Sequence, residues 1–373
     1  MKRMFLFAAV AVLSMAGCTK NEVTVVEDSG QITFLPVAHK AQTKAVVNGT
    51  AYPEDLPFGT YAYHDNGGGT LTKYIPEASV TIGDAVSYDN TGHFWSPATA
   101  YYWPATGTLN LFSYSPFKYQ EPSGTNLDVV TCDGKAIRLT GYECRQHQAT
   151  DLMIATPVLG ANSNTHKIPG EWLKGVPTKF KHVLCQLVEF QFQTVDEENN
   201  VKDYAHGHDN TPGNEYADGD KVYVITEIKL SNVCGKGDYV FDTKGTIDTS
   251  DDEEKWSNWQ DKVNEVTWMT SGTEEFRDGK LTVKKSGTYP YALVIPQPCA
   301  DMKICISYQI KHYVDGTSFT EPTITKDVNL STVHANFEPG KKIVYKVNIG
   351  GDNRIYWAPE VTDWVAADGS FKI

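Results

Sequence analysis

Lys303-Ile304-Cys305-Ile306-Ser307-Tyr308-Gln309-Ile310-Lys311 decides the fold class, because every second residue is large and apolar. A strand turns successive side chains to opposite faces. Ile304, Ile306, Tyr308 and Ile310 therefore point inward and Cys305, Ser307, Gln309 and Lys311 outward. The same period returns near the end, where Lys342 to Ile349 places Ile343, Tyr345, Val347 and Ile349 on one face. Gly350-Gly351-Asp352-Asn353 then turns the chain into Arg354-Ile355-Tyr356-Trp357. Upstream, Tyr289 to Pro296 is expected to form a hairpin with Lys303 to Lys311 across Pro298 to Met302.

Working outward, short runs of β-branched and aromatic residues separated by Gly, Pro, Asn and Asp begin at Pro57, the pattern of an all-β sandwich or barrel. Phe58 to His64 is one strand and Asn66-Gly67-Gly68-Gly69 the turn after it. Thr108 to Tyr114 sets Leu109 and Leu111 against Asn110, Phe112 and Tyr114, so both faces are apolar and the strand is central. Ala161 to Thr178 reads as a connection between an N-terminal β-sandwich domain over 31–178 and a C-terminal one over 179–373. Phe180 to Phe192 is long enough to cross a sandwich and bend. Asp196 to Asp220 and Ser250 to Trp259 read as polar and acidic loops, and no helix of three turns is expected.

The 373 residues allow two domains, each with its own core. A net charge of −13 argues against nucleic acid and against electrostatic attraction to anionic lipid. With 20 Tyr, 15 Phe and 8 Trp against 21% charged residues, the chain is an aromatic-rich β protein rather than a disordered one.

The N-terminus says where the chain goes. Lys2 and Arg3 precede an apolar run, Met4 to Met15, too short to span a bilayer permanently. The run ends in Leu13-Ser14-Met15-Ala16-Gly17-Cys18, with small residues before a cysteine whose thiol can carry lipid once a peptidase has cut. Residues 1–18 are thus expected to be a lipoprotein signal peptide with its lipobox, Cys18 the lipidated residue, and 19–30 a polar tether. An ordinary signal peptide with an incidental cysteine is the competing reading. Gln31 to Val37 is a first strand with Ile32 and Phe34 on one face, and Pro36 suits a strand end or edge. His39 to Ala45 has no apolar face and is an exposed segment open to proteolysis, which makes Lys40 and Lys44 processing candidates.

Setting Cys18 aside leaves six cysteines. An even number permits disulfides in an exported protein, with Cys132–Cys144 and Cys299–Cys305 as local candidates and buried free thiols as the alternative. Cys185 and Cys234 have no assigned partner.

The order of these features resembles the fimbrillins, the type V pilin-like lipoproteins of Bacteroidales. The matching pieces are the lipobox cysteine, Ile32-Thr33-Phe34 with Thr43-Lys44-Ala45, Phe94-Trp95, Tyr101-Tyr102-Trp103-Pro104 and Leu111-Phe112-Ser113-Tyr114-Ser115-Pro116. Asp151-Leu152-Met153, Phe180-Lys181-His182-Val183-Leu184, Pro339-Gly340-Lys341 and Val361-Thr362-Asp363-Trp364 complete them. The resemblance implies two tandem transthyretin-like β-sandwich domains and a pilus built with other pilin subunits by strand addition. Members are typically cut after an arginine in the loop following the first strand. Here that position is Lys44, and Arg3 is followed by no arginine until Arg138, so a lysine-cutting protease acts or the chain stays lipid-anchored. The donor strand is expected in the last apolar run, Ile355, Trp357, Val361 and Trp364.

No nucleophile motif points to an enzyme, and no cofactor is expected. His206-Gly207-His208-Asp209 has metal-ligating residue types but no second cluster at ligand spacing, so a solvated loop is favoured and no metal is assigned. The expected role is that of an exported outer-membrane lipoprotein in a cell-surface fimbrium, adhering to a host or bacterial surface ligand. The rival is a lipid-anchored glycan-binding protein using Trp95, Trp103, Trp256, Trp259 and Trp268, of which Trp256 and Trp259 lie outside strand patterns.

Overall fold

The computed structural model describes residues 30–38, 50–77, 82–117, 130–144, 151–163, 175–195, 221–263, 266–276, 280–287, 291–314, 317–350 and 355–364. The first half forms β1 (Phe34–Ala38), β2 (Thr50–Ala51), β3 (Phe58–Asp65), β4 (Leu71–Ile75), β5 (Asp84–Asp89) and β6 (Phe94–Pro97). It continues with β7 (Thr108–Ser115), β8 (Val130–Cys132), β9 (Ala136–Glu143), β10 (Met153–Ala155), β11 (Val158–Ala161) and β12 (Val176–His182). The second half forms β13 (Cys185–Val195), β14 (Lys221–Ser231), β15 (Val233–Asp242), β16 (Glu253–Val263), β17 (Val266–Phe276) and β18 (Lys280–Lys284). It ends with β19 (Ala292–Val294), β20 (Lys303–Val314), β21 (Thr317–Thr320), β22 (Ile324–Asn329), β23 (Lys341–Gly350) and β24 (Ile355–Asp363). Single 3-10 turns lie at Thr249–Asp251 and Leu330–Thr332.

A ten-stranded sheet runs β11-β7-β10-β12-β1-β6-β5-β3-β4 with β2 beside β1, and an added β7–β3 pairing closes the order on itself. Its strands β3, β7 and β10 carry apolar residues on both faces, as the composition of β7 requires. Leu109 and Leu111 join a core with Phe34, Phe58, Trp95 and Phe180, while Phe112 and Tyr114 join a second core on the opposite face. That second core is completed by a four-stranded sheet, β16-β15-β9-β8, through Ile137, Leu139, Tyr239, Phe241 and Trp256.

Two five-stranded sheets, β18-β13-β23-β24 with β19 and β17-β14-β20-β21 with β22, enclose the third core. Ile304, Ile306, Tyr308 and Ile310 of β20 meet Ile343, Tyr345, Val347 and Ile349 of β23 in it, so both alternating stretches bury the faces their period assigns. Ser307 is buried as well, on the outer face, where its hydroxyl lies 3.0 Å from that of Thr325 on the neighbouring strand.

Three local expectations are corrected by how the strands pair. The hairpin across Pro298 to Met302 does not form: β19 pairs with β13 and β20 with β14, in different sheets. Phe180 to Phe192 is two strands, and the chain changes sheets at Val183 and Leu184. Residues 178 and 179 are both in β12, and β15 pairs with β9, so the sheets link the two halves of the chain. The acidic stretch Ser250 to Trp259 is a 3-10 turn followed by strand β16, whose charges sit on the edge of a sheet.

Candidate functional site

The first strand sits inside a sheet. β1 runs parallel to β12, from Phe34 opposite Val176 to Ala38 opposite Phe180. On its other side it meets Trp95 of β6 at Phe34, and β2 at Val37 and Ala38. Pro36 lies between those two contacts, mid-strand rather than at an end, where the antiparallel neighbour changes and no N–H is needed on that side.

Ile32 and Phe34 are buried, and the Phe34 ring meets Phe58 edge-on with centroids 5.7 Å apart. Phe58 in turn packs on Phe180 at 5.2 Å, and Tyr52 stacks on Phe180 at 5.0 Å. Burying one such phenyl ring contributes roughly 1.5–3 kcal/mol. The start of the segment is tied by Ile32 N donating to Tyr101 O at 2.8 Å and by Val176 N donating to Thr33 O at 2.8 Å. Gly175 makes the close approach: its φ is +115°, and a Cβ there would lie 2.7 Å from Phe34 N.

The last strand lies at the rim. β24 pairs antiparallel with β23 in nine register pairs, from Lys341 opposite Asp363 to Ile349 opposite Ile355, and ends its sheet. Ile355 and Trp357 pack half-buried against the third core, and Trp357 meets Tyr345 edge-on at 6.2 Å. The Trp357 indole nitrogen is enclosed without a hydrogen-bond partner. Val361 is 46% exposed. Lys341–Asp363 at 2.6 Å and Lys346–Glu360 at 2.7 Å are surface ion pairs.

Trp364 departs from the rest of the stretch. Its ring is buried and stacked on His182 at 4.4 Å and 3°, its backbone N–H donates to Gly340 O at 2.6 Å, and Gly340 N donates to Leu184 O at 2.9 Å. His182 Nδ1 lies 2.7 Å from Asp151 Oδ2, and Lys342 Nζ 6.0 Å over the Trp364 ring. Burial holds the Lys342 ammonium below its ordinary range, with the Asp151 charge pulling it back up. Three stretches that are far apart in sequence, 180–184, 339–341 and 361–364, thus meet where the two halves join. Trp256 adds a contact that its acidic surroundings conceal, donating from Nε1 to Val183 O at 2.7 Å.

Cys18, Lys40 and Lys44 lie outside the described residues, the two lysines in the connection between β1 and β2; so does His206-Gly207-His208-Asp209. Of the five tryptophans considered for sugar stacking, Trp95, Trp103, Trp256 and Trp268 are buried. Trp259 alone among them is exposed, at 40%, and its Nε1 donates to Pro296 O at 2.9 Å. The five form no shared exposed face.

The six described cysteines are free, which corrects both local pairings. The β8–β9 hairpin opposes Cys132 to Ile137, and Cys144 lies well beyond it. Cys299 is in the core while Cys305 is on the outer face of β20. Burial pushes the thiols of Cys132 and Cys299 up to about 12 and that of Cys305 up to about 11, so they stay protonated near neutrality.

The sequence matches the model of the fimbrillin-like family over residues 43–364. The fimbrium subunit Fim1C of Phocaeicola vulgatus is 24% identical over 92% of this chain and 91% of its own. The crystal structure of a fimbrial protein from Bacteroides vulgatus superposes with a TM-score of 0.54 at 16% identity, over 90% of this chain and 99% of that one. The structural likeness concerns the fold alone.

Proposed function

The chain belongs to the fimbrillin-like family, and from that premise we propose that it is an exported subunit of a cell-surface fimbrium that joins other subunits by strand addition. The subunit is read as two tandem transthyretin-like β-sandwich domains, carried to the outer membrane on lipid at Cys18 and contributing to adhesion. Its role is structural rather than catalytic.

One observation carries the assembly step. β1 is an interior strand of the ten-stranded sheet, joined to the strands that follow it only through residues 39–49, which hold Lys40 and Lys44. A cut there makes β1 a separate piece. Its departure leaves β12 with unpaired backbone groups and Phe58 and Phe180 facing an open slot, a state relieved by a strand from another chain. The donor is Ile355 to Trp364, which among the described residues pairs along one edge only and leaves the Trp357 indole N–H unsatisfied at home. Each copy both gives and receives a strand, so the contact runs head to tail and propagates as a filament.

The test is limited digestion with a lysine-specific protease followed by unheated SDS gels. Cutting after Lys44 should give SDS-resistant ladders from the full chain and none from a chain lacking 354–373. Cut full-length protein that stays monomeric with its slot empty would defeat the assembly reading. Cys18→Ala should separately abolish fatty-acid labelling, and equal labelling would remove the anchor.

A further inference from the structure

The first and last strands carry the same spacing of residues. Ile32-Thr33-Phe34-Leu35-Pro36-Val37-Ala38 and Ile355-Tyr356-Trp357-Ala358-Pro359-Glu360-Val361 both read isoleucine, aromatic and proline at every second place. Ile32, Phe34 and Pro36 are buried, and Ile355, Trp357 and Pro359 are half-buried. A proline inside a strand is confined to places where no ladder N–H is required, so its return at the same offset bears on register as well as on composition.

The backbones agree. Alternate residues of a strand turn their N–H and C=O to the same neighbour. Val176 N donates to Thr33 O, so Thr33, Leu35 and Val37 face β12, while Ile32, Phe34 and Pro36 face the other side, where Ile32 N donates to Tyr101 O. In the last strand Trp364 N donates to Gly340 O, so the even-numbered residues face β23. Ile355, Trp357, Pro359 and Val361 turn their backbone groups to the edge on which no described strand pairs. The edge that β24 offers to β23 is thus the edge that β12 requires, and Pro359 lacks an N–H where Pro36 lacks one.

We propose that the last strand of a second copy enters the slot parallel to β12, with Ile355 in the seat of Ile32, Trp357 in that of Phe34 and Pro359 in that of Pro36. This rests on the strand-addition reading above and adds its direction and register. A shift by one residue would put Pro359 in the place of Leu35 or Val37, where the strand's N–H donates to β12, and would turn Ile355 and Trp357 out of the core. A shift by two would put it in the place of Phe34 or Ala38, which pair with Trp95 and Thr50. Reversal about Pro359 would bring Val361 to the seat of Phe34 and Asp363 to that of Ile32, burying a carboxylate where the isoleucine is fully enclosed.

Anisotropy of a fluorescein-labelled 354–373 peptide on the full chain cut after Lys44 tests the register. The native peptide should bind, and Pro359→Ala should bind within about fivefold of it. Moving the proline, by Ala358→Pro with Pro359→Ala or by Glu360→Pro with Pro359→Ala, should weaken binding by about tenfold or more in each case. These changes are made in the peptide, so none of them touches the folding of the receiving protein. For direction, p-benzoylphenylalanine in place of Ile355 should crosslink to residues 101–103 or 175–176, and in place of Val361 to residues 50–51 or 180. Moved prolines that bind as well as the native peptide, or crosslinks in the reverse order, overturn the register and leave strand addition standing. A native peptide that does not bind overturns both.

Discussion

β1 and β24 bury similar kinds of side chain and are held in different ways. β1 has β12 along one side and β6 and β2 along the other, so its backbone is engaged on both edges and its phenyl ring lies at the centre of a core. β24 has a longer ladder, but among the described residues only on the side of β23, with Val361 in solvent. Taking out β1 opens a slot between two strands, whereas taking out β24 makes β23 the new edge and uncovers the seats of Ile355, Trp357 and Trp364 at the rim. Exchange therefore favours β1 as the vacated seat and β24 as the travelling strand.

Gly175→Val should break this comparison most severely. It puts a β-branched side chain at φ +115° within 2.7 Å of the β1 backbone. A loss of more than about 4 kcal/mol is expected in urea unfolding. A loss under about 1 kcal/mol would mean that β1 does not lie against Gly175 in solution. Phe34→Ala, which empties part of the first core, should cost about 3–5 kcal/mol by the same measurement.

Trp364→Ala is expected to fall below that, near 2 kcal/mol, because it removes a stack on His182 at the junction and leaves all four sheets intact. Val361→Ala should be smallest, within about 0.5 kcal/mol for the uncut monomer. The same variant should nonetheless shorten the ladders formed by cut protein, since a donor strand buries residues that are exposed at home. Equal ladders from Val361→Ala would remove Val361 from the donor face.

Where the sequence was legible, one residue's partners were its own neighbours. The alternation in β20 and β23 is a local property, and both strands bury the faces it assigns; the two apolar faces of β7 mark a strand with cores on both sides. What stayed hidden depended on distant pairing. Glu253 and Glu254 look like loop residues, yet Tyr239 donates to Glu254 at 2.6 Å and Lys181 contacts it from the other half, so the charges decorate the edge of a strand. Nothing local tells Cys299 that it will face a core while Cys305 faces out. Nor does it tell His182, Gly340 and Trp364 that they will meet.

Hydrogen exchange at β12 tests the central claim most directly. The protein is cut after Lys44 and exchanged with and without an excess of synthetic peptide covering 354–373. The amides of Val176, which donates to Thr33 O, and of Thr178, which faces the same way, should lose protection once β1 leaves and regain it with the peptide, while the uncut chain is indifferent to it. If β12 stays unprotected with the peptide present, or if the peptide protects a different strand instead, β1's seat is not where a second copy's last strand goes.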